Sequence, residues 1–519
     1  MSGEDTAAVA VMRALLRAGV REFCVCSGAR NLELVLLLDA LGDEVRVWNF
    51  PEERCAGFFA LGRMQVTGDR VGVVTTSGTA VAELLPAMVE AHYQGLPLVA
   101  VTADRPVIFR RSGAPQVIDQ MGIFGGYAEM CVDYSEGAIS LEEWSGMRPL
   151  HVNVCLPEPG DGMADAAAEG AAALKEESGR GGSMLGMMPM DEGALGRFLS
   201  ESERLLVMVG ALGMGEREAV IEFLLELGAP VWAEGISNLR EDERLRSLLL
   251  RSPEAAWGSY AWKKVLRLGG VPSVRFWRDL EDAKEEVEVL SVTPFGYPGL
   301  ARHSEMVWGR VGDVVSKAGE LRAGFGESVM ELDRAGAAQL EEVLAAEPAG
   351  ELALMRKISG MMGAGARVFL GNSLPIRQWD VAAERVRGYG GGVYANRGAN
   401  GIDGELSSFL GVSEGAAEAW GIFGDLTVLY DLAAPWVLGQ LGEGRRRIVV
   451  MNNGGGKIFS RLPAVKRLGE GAVRLIENPH GVSFEGWAAM WGMKYVRWSG
   501  EEGVELGDGD VVLEVGVGS

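Results

Sequence analysis

The stretch GIFGDLTVLYD, Gly421–Asp431, ends an apolar run with the pair Gly424-Asp425. A second apolar run, IVVMNNGGG at 448–456, ends with Asn452-Asn453, and Asn453 follows Asp425 by 28 positions. The residues between them, LTVLYDLAAPWVLGQLG, have the apolar spacing of a crossover helix. This pattern predicts a strand, a helix and a second strand that runs parallel to the first.

Polar groups at the ends of these two strands predict a ligand site, because α/β proteins bind ligands at the carboxyl ends of parallel strands. An Asp carboxylate, an Asn amide oxygen and a backbone carbonyl are hard oxygen ligands that suit Mg²⁺, which takes further ligands from water and phosphates. The helix N-terminus after Asp425 would add N–H groups for a diphosphate. A simpler alternative stays open at this point, in which Asp425 caps a helix and the two asparagines form a turn.

Composition limits the classes of function. The 519-residue chain has a net charge of -23, and 48% of its residues are hydrophobic, which is ample material for large cores. A general nucleic-acid binder needs a footprint of Lys and Arg that so acidic a chain lacks overall. No uncharged apolar run approaches the roughly 20 residues of a membrane helix. We therefore expect neither a nucleic-acid partner nor a membrane span.

Cysteine usage and the N-terminus indicate the compartment. Five scattered cysteines in a chain of this length do not make a disulfide framework, and we interpret them as small buried residues in a reducing environment. The first residues, MSGEDTAAVA, lack the apolar core of a signal peptide. A cytoplasmic location is expected.

Three successive alternations of strand and helix patterns run along the chain. Strand-like runs such as VREFCVCSG, RVGVVTTSGTA and PLVAVTAD alternate with helical patterns, which predicts parallel sheets covered by helices. The segment 161–191 is rich in Gly, Ala and Ser and is predicted to be a linker. The predicted fold class is α/β, with three doubly wound parallel-sheet domains at 1–160, 192–345 and 346–519.

The Gly-Asp-x and Asn-Asn pattern resembles the signature of the thiamine-diphosphate-binding fold. Leu426 stands at x, as in the family of 2-succinyl-5-enolpyruvyl-6-hydroxy-3-cyclohexene-1-carboxylate synthases of the menaquinone pathway. Six blocks in family order extend the resemblance: EERCAGFFALG at 52–62, VVTTSGTAVAELLPAMVEAHYQGLPLVAVTADRP at 73–106, GAPQVIDQ at 113–120, GNSLPIRQWD at 371–380, NRGANGIDG at 396–404 and IENPHGVSFEGWA at 476–488. It implies a pyrimidine-binding first domain, a central α/β domain and a diphosphate- and Mg²⁺-binding third domain.

The resemblance also implies roles for residues around the cofactor. Glu53 would hydrogen-bond the aminopyrimidine of thiamine diphosphate and drive the tautomer change that activates it, and burial should raise its pKa. Mg²⁺, or Mn²⁺ in its place, would bind the side chains of Asp425 and Asn453 and the carbonyl of Gly455. The remaining cofactor contacts would come from Leu426, Thr427, Ile402, Ile458 and Phe459, of which Ile402 props the cofactor and the last two form an apolar wall.

The implied reaction is decarboxylation of 2-oxoglutarate, followed by conjugate addition of the resulting carbanion to isochorismate. Both substrates are anions, and Arg is the natural clamp for a carboxylate. The positions implied to bind substrate are Arg30, Arg105, Gln116, Arg275, Ser373, Arg377, Arg397 and Leu462. The family arrangement places each active site where the Glu53-bearing domain of one subunit meets the Asp425-bearing domain of another, so a homodimer or a dimer of dimers is expected.

Several residues depart from the family pattern. Ala29 replaces a serine that contacts substrate in the family, and Val274 replaces a basic residue. Lys457 either supplies a cation for a carboxylate or faces solvent. These changes leave cofactor binding intact but keep two alternatives open. In the first alternative the chain is another thiamine-diphosphate-dependent 2-oxo acid decarboxylase or carboligase. In the second it is a relative without catalytic activity.

Overall fold

A computed structural model describes residues 5–177, 193–200, 204–282, 286–318, 326–385 and 388–517 of the chain. The chain divides into two compact units. The first comprises Met1–Met187, Gly398–Glu414 and Tyr430–Gly442, and the second comprises Met188–Arg397, Gly415–Leu429 and Glu443–Ser519. Three parallel sheets run through the described residues, which confirms the predicted α/β class. The limits predicted for the three domains stay predictions.

The first unit contains a six-stranded parallel sheet in the order β2-β1-β3-β4-β6-β5. Its strands are β1 (Glu22–Cys26), β2 (Arg46–Phe50), β3 (Val71–Thr75), β4 (Val99–Asp104), β5 (Met130–Tyr134) and β6 (Leu150–Cys155). The four inner strands are buried along their whole length, as expected for a sheet covered by helices on both faces. The helices of this part are α1 (Ala7–Arg17), α2 (Leu32–Leu41), α3 (Glu53–Thr67), α4 (Thr79–Ala82), α5 (Leu85–Gln94) and α6 (Met163–Glu177).

The predicted linker 161–191 is wrong in its first part. Helix α6 occupies Met163–Glu177 there, and it buries Ala167, Ala171 and Leu174 in the hydrophobic core that also contains α1 and α2. A helix of alanines needs only small apolar contacts on one face, so an Ala-rich composition does not separate a linker from a packed helix. Residues 178–191 of the predicted linker lie outside the described residues.

The second unit contains two parallel sheets, of which one has the order β11-β10-β9-β7-β8. Its strands are β7 (Leu205–Val209), β8 (Val231–Ala233), β9 (Lys264–Leu268), β10 (Glu288–Thr293) and β11 (Glu305–Trp308). The helices of this part are α7 (Ala194–Leu199), α8 (Arg217–Leu227), α9 (Glu254–Trp257), α10 (Arg275–Asp279), α11 (Val311–Val315) and α12 (Glu327–Ala346). Strands β7 to β10 overlap the four runs of the middle segment whose sequences predict strands: RLLVMVGALG, APVWAEG, KVLRLGGVPS and EVEVLSV.

The other sheet has the order β13-β12-β14-β15-β17-β16, which repeats the strand order of the first sheet. Its strands are β12 (Arg367–Leu370), β13 (Val393–Tyr394), β14 (Glu418–Gly424), β15 (Arg445–Asn452), β16 (Lys494–Trp498) and β17 (Val511–Gly516). The last helices are α13 (Glu351–Met361), α14 (Leu374–Ala382), α15 (Glu405–Ser413), α16 (Asp425–Tyr430), α17 (Glu470–Glu477) and α18 (Glu485–Met490). β14 and β15 pair in parallel with Gly424 opposite Met451, so the two polar turns are neighbours.

The single crossover helix predicted between these strands is wrong. Helix α16 ends at Tyr430, and a 3-10 segment follows at Ala434–Gln440. The break follows from two residues. Asp431 is fully buried and its carboxylate accepts the N–H of Ser407 at 2.8 Å, and Pro435 lacks the N–H that a continuing helix needs.

Two glycines bring α3 and α15 of the first unit close together. A Cβ on Gly62 would lie 1.9 Å from the carbonyl oxygen of Ser408, and one on Gly411 would lie 2.3 Å from the carbonyl oxygen of Phe59. Only glycine permits such an approach between helix backbones. This crossing fixes the helix that begins with Glu53.

The structure bears on the expected state of the cysteines and on the question of a membrane span. All five cysteines lie within the described residues and are free thiols; four are buried, but Cys131 is exposed. Among the helices that the structure describes, none is long and apolar enough to cross a membrane.

Candidate active site

Glu53 lies at the carboxyl-terminal edge of the first sheet, where the chain leaves β2 and enters α3. Glu52, not Glu53, caps that helix: its carboxylate accepts the N–H of Arg54 at 3.2 Å and of Cys55 at 2.8 Å. Glu53 is half-buried. Burial, together with the negative charges of Glu52 and Glu83, raises the pKa of the Glu53 carboxyl. The direction agrees with the pKa predicted from its implied role.

The first turn of α3 is held by a second set of contacts in the same unit. Arg54 donates to the carbonyl of Tyr430 at 3.0 Å, and its guanidinium lies 5.1 Å from the centre of the Tyr430 ring. Cys55 Sγ donates to the buried carboxylate of Asp431 at 3.4 Å. These contacts flank Glu53 on the chain and hold the first turn of α3 in place.

Arg30 and Arg105 converge on one carboxylate. Arg30, in the turn after β1, is buried and donates to the carbonyl of Leu156 at 3.1 Å and to Glu158 Oε1 at 2.5 Å. Arg105, directly after β4, donates to the same Glu158 oxygen at 3.1 Å. The hydrogen bond from Arg30 lowers the pKa of Glu158. Two guanidinium groups from different strands can therefore address a single carboxylate.

Gln116 belongs to an exposed loop beside the turn after β3. Its backbone adopts φ +58°, and its Cα would lie 3.5 Å from a Cβ placed on Gly78, which has φ +88°. The N–H of Gly78 donates to the buried Gln120 at 3.0 Å, and Gln120 donates in turn to Asn153 Oδ1 at 2.7 Å. The structure thus brings Glu53, Arg30 and Gln116, with Arg105, to one edge of the first sheet.

Ile402 lies in the segment between β13 and α15 and is half-buried. The same segment begins with the N–H groups of Gly398 and Ala399, which both donate to the buried carboxylate of Glu90 at 2.6 Å. A Cβ on Gly398 would lie 2.5 Å from the carbonyl oxygen of Glu90. Glu90 therefore holds the loop that carries Ile402.

The turn after β15 wraps around Asp425. Asp425 is buried, and its Oδ2 accepts the N–H of Gly454 at 2.8 Å and of Gly455 at 3.0 Å. Gly455 has φ +138°, and a Cβ there would lie 2.5 Å from the carbonyl oxygen of Glu477. His480 Nε2 lies 3.4 Å from Asp425 Oδ2. Only glycine fits this close turn at position 455.

The two asparagines at the end of β15 have different surroundings. Asn452 donates its amide N–H groups to the carbonyl of Val482 and to Glu514, both at 2.9 Å. Asn453 donates to Glu351 Oε1 at 2.8 Å, and its Oδ1 is buried with no hydrogen-bond partner among the described residues. A buried amide oxygen without a partner carries a desolvation cost that a cation would remove. Asn453, not Asn452, therefore has the free oxygen a metal ligand needs.

This arrangement fits a hard divalent cation. One carboxylate, one amide oxygen and one backbone carbonyl lie on adjacent turns, and a cation held by so few protein ligands completes its shell with water and phosphate oxygens. Within the parts of the chain that the structure describes, no cluster of three His, Cys, Asp or Glu side chains could hold a metal by itself. A cation bound here would take its remaining ligands from water or a phosphate. Thr427 is buried in the first turn of α16, and Leu426 beside it is half-buried.

The apolar residues after this turn are partly open to solvent. Ile458 is half-buried, whereas Phe459 and Leu462 are 41% and 46% exposed. Lys457, immediately before them, donates to Glu477 at 2.6 Å. Lys457 is thus paired inside the chain, which answers the open question of whether it simply faces solvent.

Ser373, Arg377 and Arg397 come together in the second unit. Ser373 precedes α14 with φ +68°, and Arg377 donates to its carbonyl at 2.5 Å. Arg397 donates to Asn372 Oδ1 at 2.7 Å. Burial raises the pKa of Glu234, and the positive charges of Arg397 and Arg377 oppose that rise. A buried carboxylate thus faces the predicted substrate arginines.

A second buried carboxyl group lies next to Glu234. Asp380, on α14, accepts the N–H of Gly235 at 2.7 Å. Burial and the neighbouring charge of Glu234 raise the pKa of Asp380 to about 7. Glu234 is fixed on its other side, because Ser273 donates its N–H and its hydroxyl to Glu234 Oε1 at 2.5 and 2.6 Å.

Comparison with known proteins identifies the family. Residues 5–123 match the family described as thiamine pyrophosphate enzyme, N-terminal TPP binding domain. The chain is 41% identical over 508 residues to the 2-succinyl-5-enolpyruvyl-6-hydroxy-3-cyclohexene-1-carboxylate synthase of Bdellovibrio bacteriovorus, with 95% of this chain and 91% of that protein aligned. The chain belongs to the 2-succinyl-5-enolpyruvyl-6-hydroxy-3-cyclohexene-1-carboxylate synthase family. The predicted family is confirmed.

Other members of the synthase family are similarly complete matches. The synthase of Akkermansia muciniphila is 41% identical over 491 residues, which are 92% of this chain and 89% of that protein. The synthase of Geobacillus thermodenitrificans is 31% identical over 516 residues, with coverages of 93% and 87%. An X-ray structure of a protein assigned to the thiamin diphosphate-dependent enzymes, from Mycobacterium smegmatis, shares the fold with a TM-score of 0.70 over 99% of both chains at 15% identity.

The described contacts do not bring Arg275 to Ser373, Arg377 and Arg397. Its guanidinium pairs with Asp279 on its own helix at 3.3 Å and is 65% exposed. Arg278, one position beyond Trp277 on α10, instead contributes a positive charge near Arg377. The role of Arg275 stays a prediction.

Sequence reasoning also missed the carboxylates that hold the predicted residues. Glu158, Glu234 and Glu351 each contact or face a residue assigned from the synthase family, and each stands outside the assigned motifs. Glu158 comes directly after the last apolar run of the first segment, PLHVNVCLP. A polar residue just past a strand end was the available signal for it.

Proposed function

We propose that the protein is a thiamine-diphosphate-dependent synthase. It decarboxylates 2-oxoglutarate and adds the resulting carbanion to isochorismate, giving 2-succinyl-5-enolpyruvyl-6-hydroxy-3-cyclohexene-1-carboxylate in menaquinone biosynthesis. The observation that carries this proposal is the 41% identity to a synthase of this name over 95% of the chain.

Asp425, Asn453 and the carbonyl of Gly455 would hold Mg²⁺, or Mn²⁺, and through it the diphosphate. The unpartnered Asn453 Oδ1 supports this role, because a cation is the partner it lacks. Leu426 and Thr427, in the turn after Asp425, would contact the phosphates. Asp425 accepts three backbone N–H groups, from Leu426, Gly454 and Gly455, which fix the direction of its carboxylate.

Glu53 would face the pyrimidine ring of the cofactor. Thiamine diphosphate, when bound, supplies the electron sink that decarboxylation requires. The raised pKa of Glu53 supports a role in which its carboxyl group holds a proton and shares it with a ring nitrogen. Ile402, Ile458 and Phe459 would contact the cofactor's apolar surface and exclude water from it.

The substrate carboxylates would bind to arginines on both units. Arg30 and Arg105 already share one carboxylate oxygen of Glu158, which supports their use as a clamp for a substrate carboxylate. Arg377 and Arg397 would bind a second anionic group. Gln116, Ser373, Leu462 and Arg275 would also contact substrate.

The active assembly would be a homodimer or a dimer of dimers, with each site formed between two copies. Large apolar side chains that the single chain leaves exposed support association: Ile108 is 86% exposed and Leu475 is 75% exposed. Light scattering on the purified protein would measure the mass directly. The five free thiols support the cytoplasmic location expected from the sequence.

The reaction is tested with purified protein, thiamine diphosphate and Mg²⁺. Carbon dioxide release should require 2-oxoglutarate, and loss of isochorismate should match formation of the succinylated product by mass spectrometry. If carbon dioxide were released from a different 2-oxo acid in a panel, the chain would instead be another thiamine-diphosphate-dependent decarboxylase or carboligase. Cofactor binding without any turnover would favour the non-catalytic relative.

Glu53→Gln tests the central assignment. It should keep cofactor binding, measured by quenching of tryptophan fluorescence, and lower kcat by about 10²- to 10⁴-fold, because a positioned proton donor contributes that much. Glu83→Gln is the matched control, since it removes a nearby negative charge but keeps the Glu53 carboxyl. Equal turnover in Glu53→Gln and the wild type would refute the role of Glu53.

A further inference from the structure

Glu351 connects three parts of the second unit that sequence reasoning treated separately. It is the first residue of α13, and its side chain is 16% exposed. Its Oε1 accepts from Asn453 Nδ2 at 2.8 Å. Its Oε2 accepts from Gln378 Nε2 at 2.6 Å and from Arg461 Nη2 at 2.8 Å. A single carboxylate therefore receives donors from the turn after β15, from α14 and from the segment after Phe459.

The contact with Asn453 decides which way that amide points. A carboxylate has only acceptors, so Asn453 must present its NH₂ group to Glu351. The carbonyl end of the amide then points the other way, and this is the Oδ1 that is buried without a partner among the described residues. Without Glu351, the amide group could rotate and exchange the positions of Oδ1 and Nδ2, because no other contact among the described residues fixes its orientation.

The other two contacts hold Glu351 itself in place. Gln378 lies on α14 next to Arg377, and its bond of 2.6 Å is short for a bond to a carboxylate. Arg461 is 54% exposed, so its pair with Glu351 contributes little by itself. The N-terminal position on α13 also favours a negative charge. The carboxylate thus has a fixed direction before any ligand binds.

We propose that Glu351 is a positioning residue for the cation site: it orients the Asn453 amide so that Oδ1 faces the metal. The inference rests on the proposed function only in taking Asn453 as a ligand of Mg²⁺ or Mn²⁺. Groups that orient metal ligands in this way typically change metal affinity by about 10- to 100-fold when they are removed. Neither Gln378 nor Arg461 touches Asn453 in the described contacts, so the effect runs through the Glu351–Asn453 bond.

The test is Mn²⁺ binding to the protein with thiamine diphosphate present, measured by electron paramagnetic resonance of free Mn²⁺. Glu351→Ala should weaken Mn²⁺ binding by about 10- to 100-fold, and saturating Mn²⁺ should restore most of the turnover. Glu327→Ala is the matched control, because Glu327 is also the first residue of a helix but is exposed. Glu351→Gln keeps the shape of the side chain and serves if the alanine variant unfolds; it should weaken binding by a smaller factor.

A double-substitution cycle separates orientation of Asn453 from a general disturbance. In an Asn453→Ala background, Glu351→Ala should change Mn²⁺ affinity by less than about twofold, because the group it orients is gone. Equal weakening in both backgrounds, or wild-type affinity in a folded Glu351→Ala protein, would overturn the inference and leave the proposed function standing. A wild-type protein that binds thiamine diphosphate but no Mn²⁺ would overturn both.

Discussion

Replacement of Gly62 by alanine tests the helix crossing that fixes Glu53. In the interior of an exposed helix this change stabilises a protein by about 1 kcal/mol, because glycine is the more flexible residue. At position 62 the new Cβ would lie 1.9 Å from the Ser408 carbonyl oxygen and 2.9 Å from the Val412 backbone nitrogen. Both atoms belong to the backbone of α15, so no side-chain rotation relieves the overlap, and the helices must separate.

The expected magnitude follows from these opposing effects. Overpacking of a close contact costs about 1–3 kcal/mol, and a clash with backbone belongs at the upper end of that range. After the gain from helix propensity, Gly62→Ala should destabilise the fold by about 2 kcal/mol. For a unit of this size such a loss lowers Tm by about 4–8 °C. Because α3 begins with Glu53, kcat should fall as well.

Differential scanning calorimetry at fixed protein and cofactor concentration measures the shift. Gly471→Ala is the matched control: Gly471 lies in α17, and a Cβ there meets no atom within 4 Å. The control should have a Tm at or slightly above that of the wild type. If Gly62→Ala matched the control, the close approach of α3 and α15 would be wrong.

Two further predictions follow from the carboxylates near the predicted arginines. The pKa of the Asp380 carboxyl is about 7 in the folded protein and about 3.9 in the unfolded chain. Protonation of Asp380 therefore stabilises the folded state fully below pH 4, and this stability is lost as the pH rises through 7. The wild type should therefore lose up to about 4 kcal/mol more than Asp380→Asn between pH 4 and 7 in urea unfolding, and parallel pH profiles would contradict this. Glu158→Gln should lower KM for 2-oxoglutarate by about two- to fivefold with little change in kcat, because it frees Arg30 and Arg105 from an exposed competing carboxylate; a higher KM would show that Glu158 positions the arginines instead.

The sequence was sufficient for the inner strands but not for the edges of the sheets. Strands β3, β4 and β14 are nearly continuous apolar runs, and pattern reading finds them. Strands β2, β5 and β16 lie at sheet edges and expose about every second residue, so their sequences do not differ clearly from loops. The crossover helix was predicted too long for a different reason: the burial of Asp431 is a tertiary effect that no local spacing reveals.

The candidate site was predictable at the level of residue types at strand ends. Local motifs place Asp425 and Asn453 on neighbouring strands, and the family blocks place Glu53. What sequence reasoning missed are the partners. Glu351 lies 102 positions from Asn453, and Glu158 lies 128 positions from Arg30. Such pairs form because the sheets bring distant turns together, and the residue pattern within either segment does not predict them.

The two pairs of predicted substrate arginines face carboxylates of different kinds, and this difference has a consequence for binding. Glu158 is 65% exposed, so water can replace Arg30 and Arg105 around it and an incoming carboxylate can take its place at modest cost. Glu234 is buried and hydrogen-bonded to Ser273, and it feels the positive charge of Arg397, so it cannot move aside into water as Glu158 can. We therefore expect an anion to bind Arg30 and Arg105 by exchange with Glu158, but to bind Arg397 while Glu234 stays in place. Substitution of Glu158 should then alter affinity alone, whereas Glu234→Gln should alter both affinity and stability, which calorimetry and KM measured on the same preparation can separate.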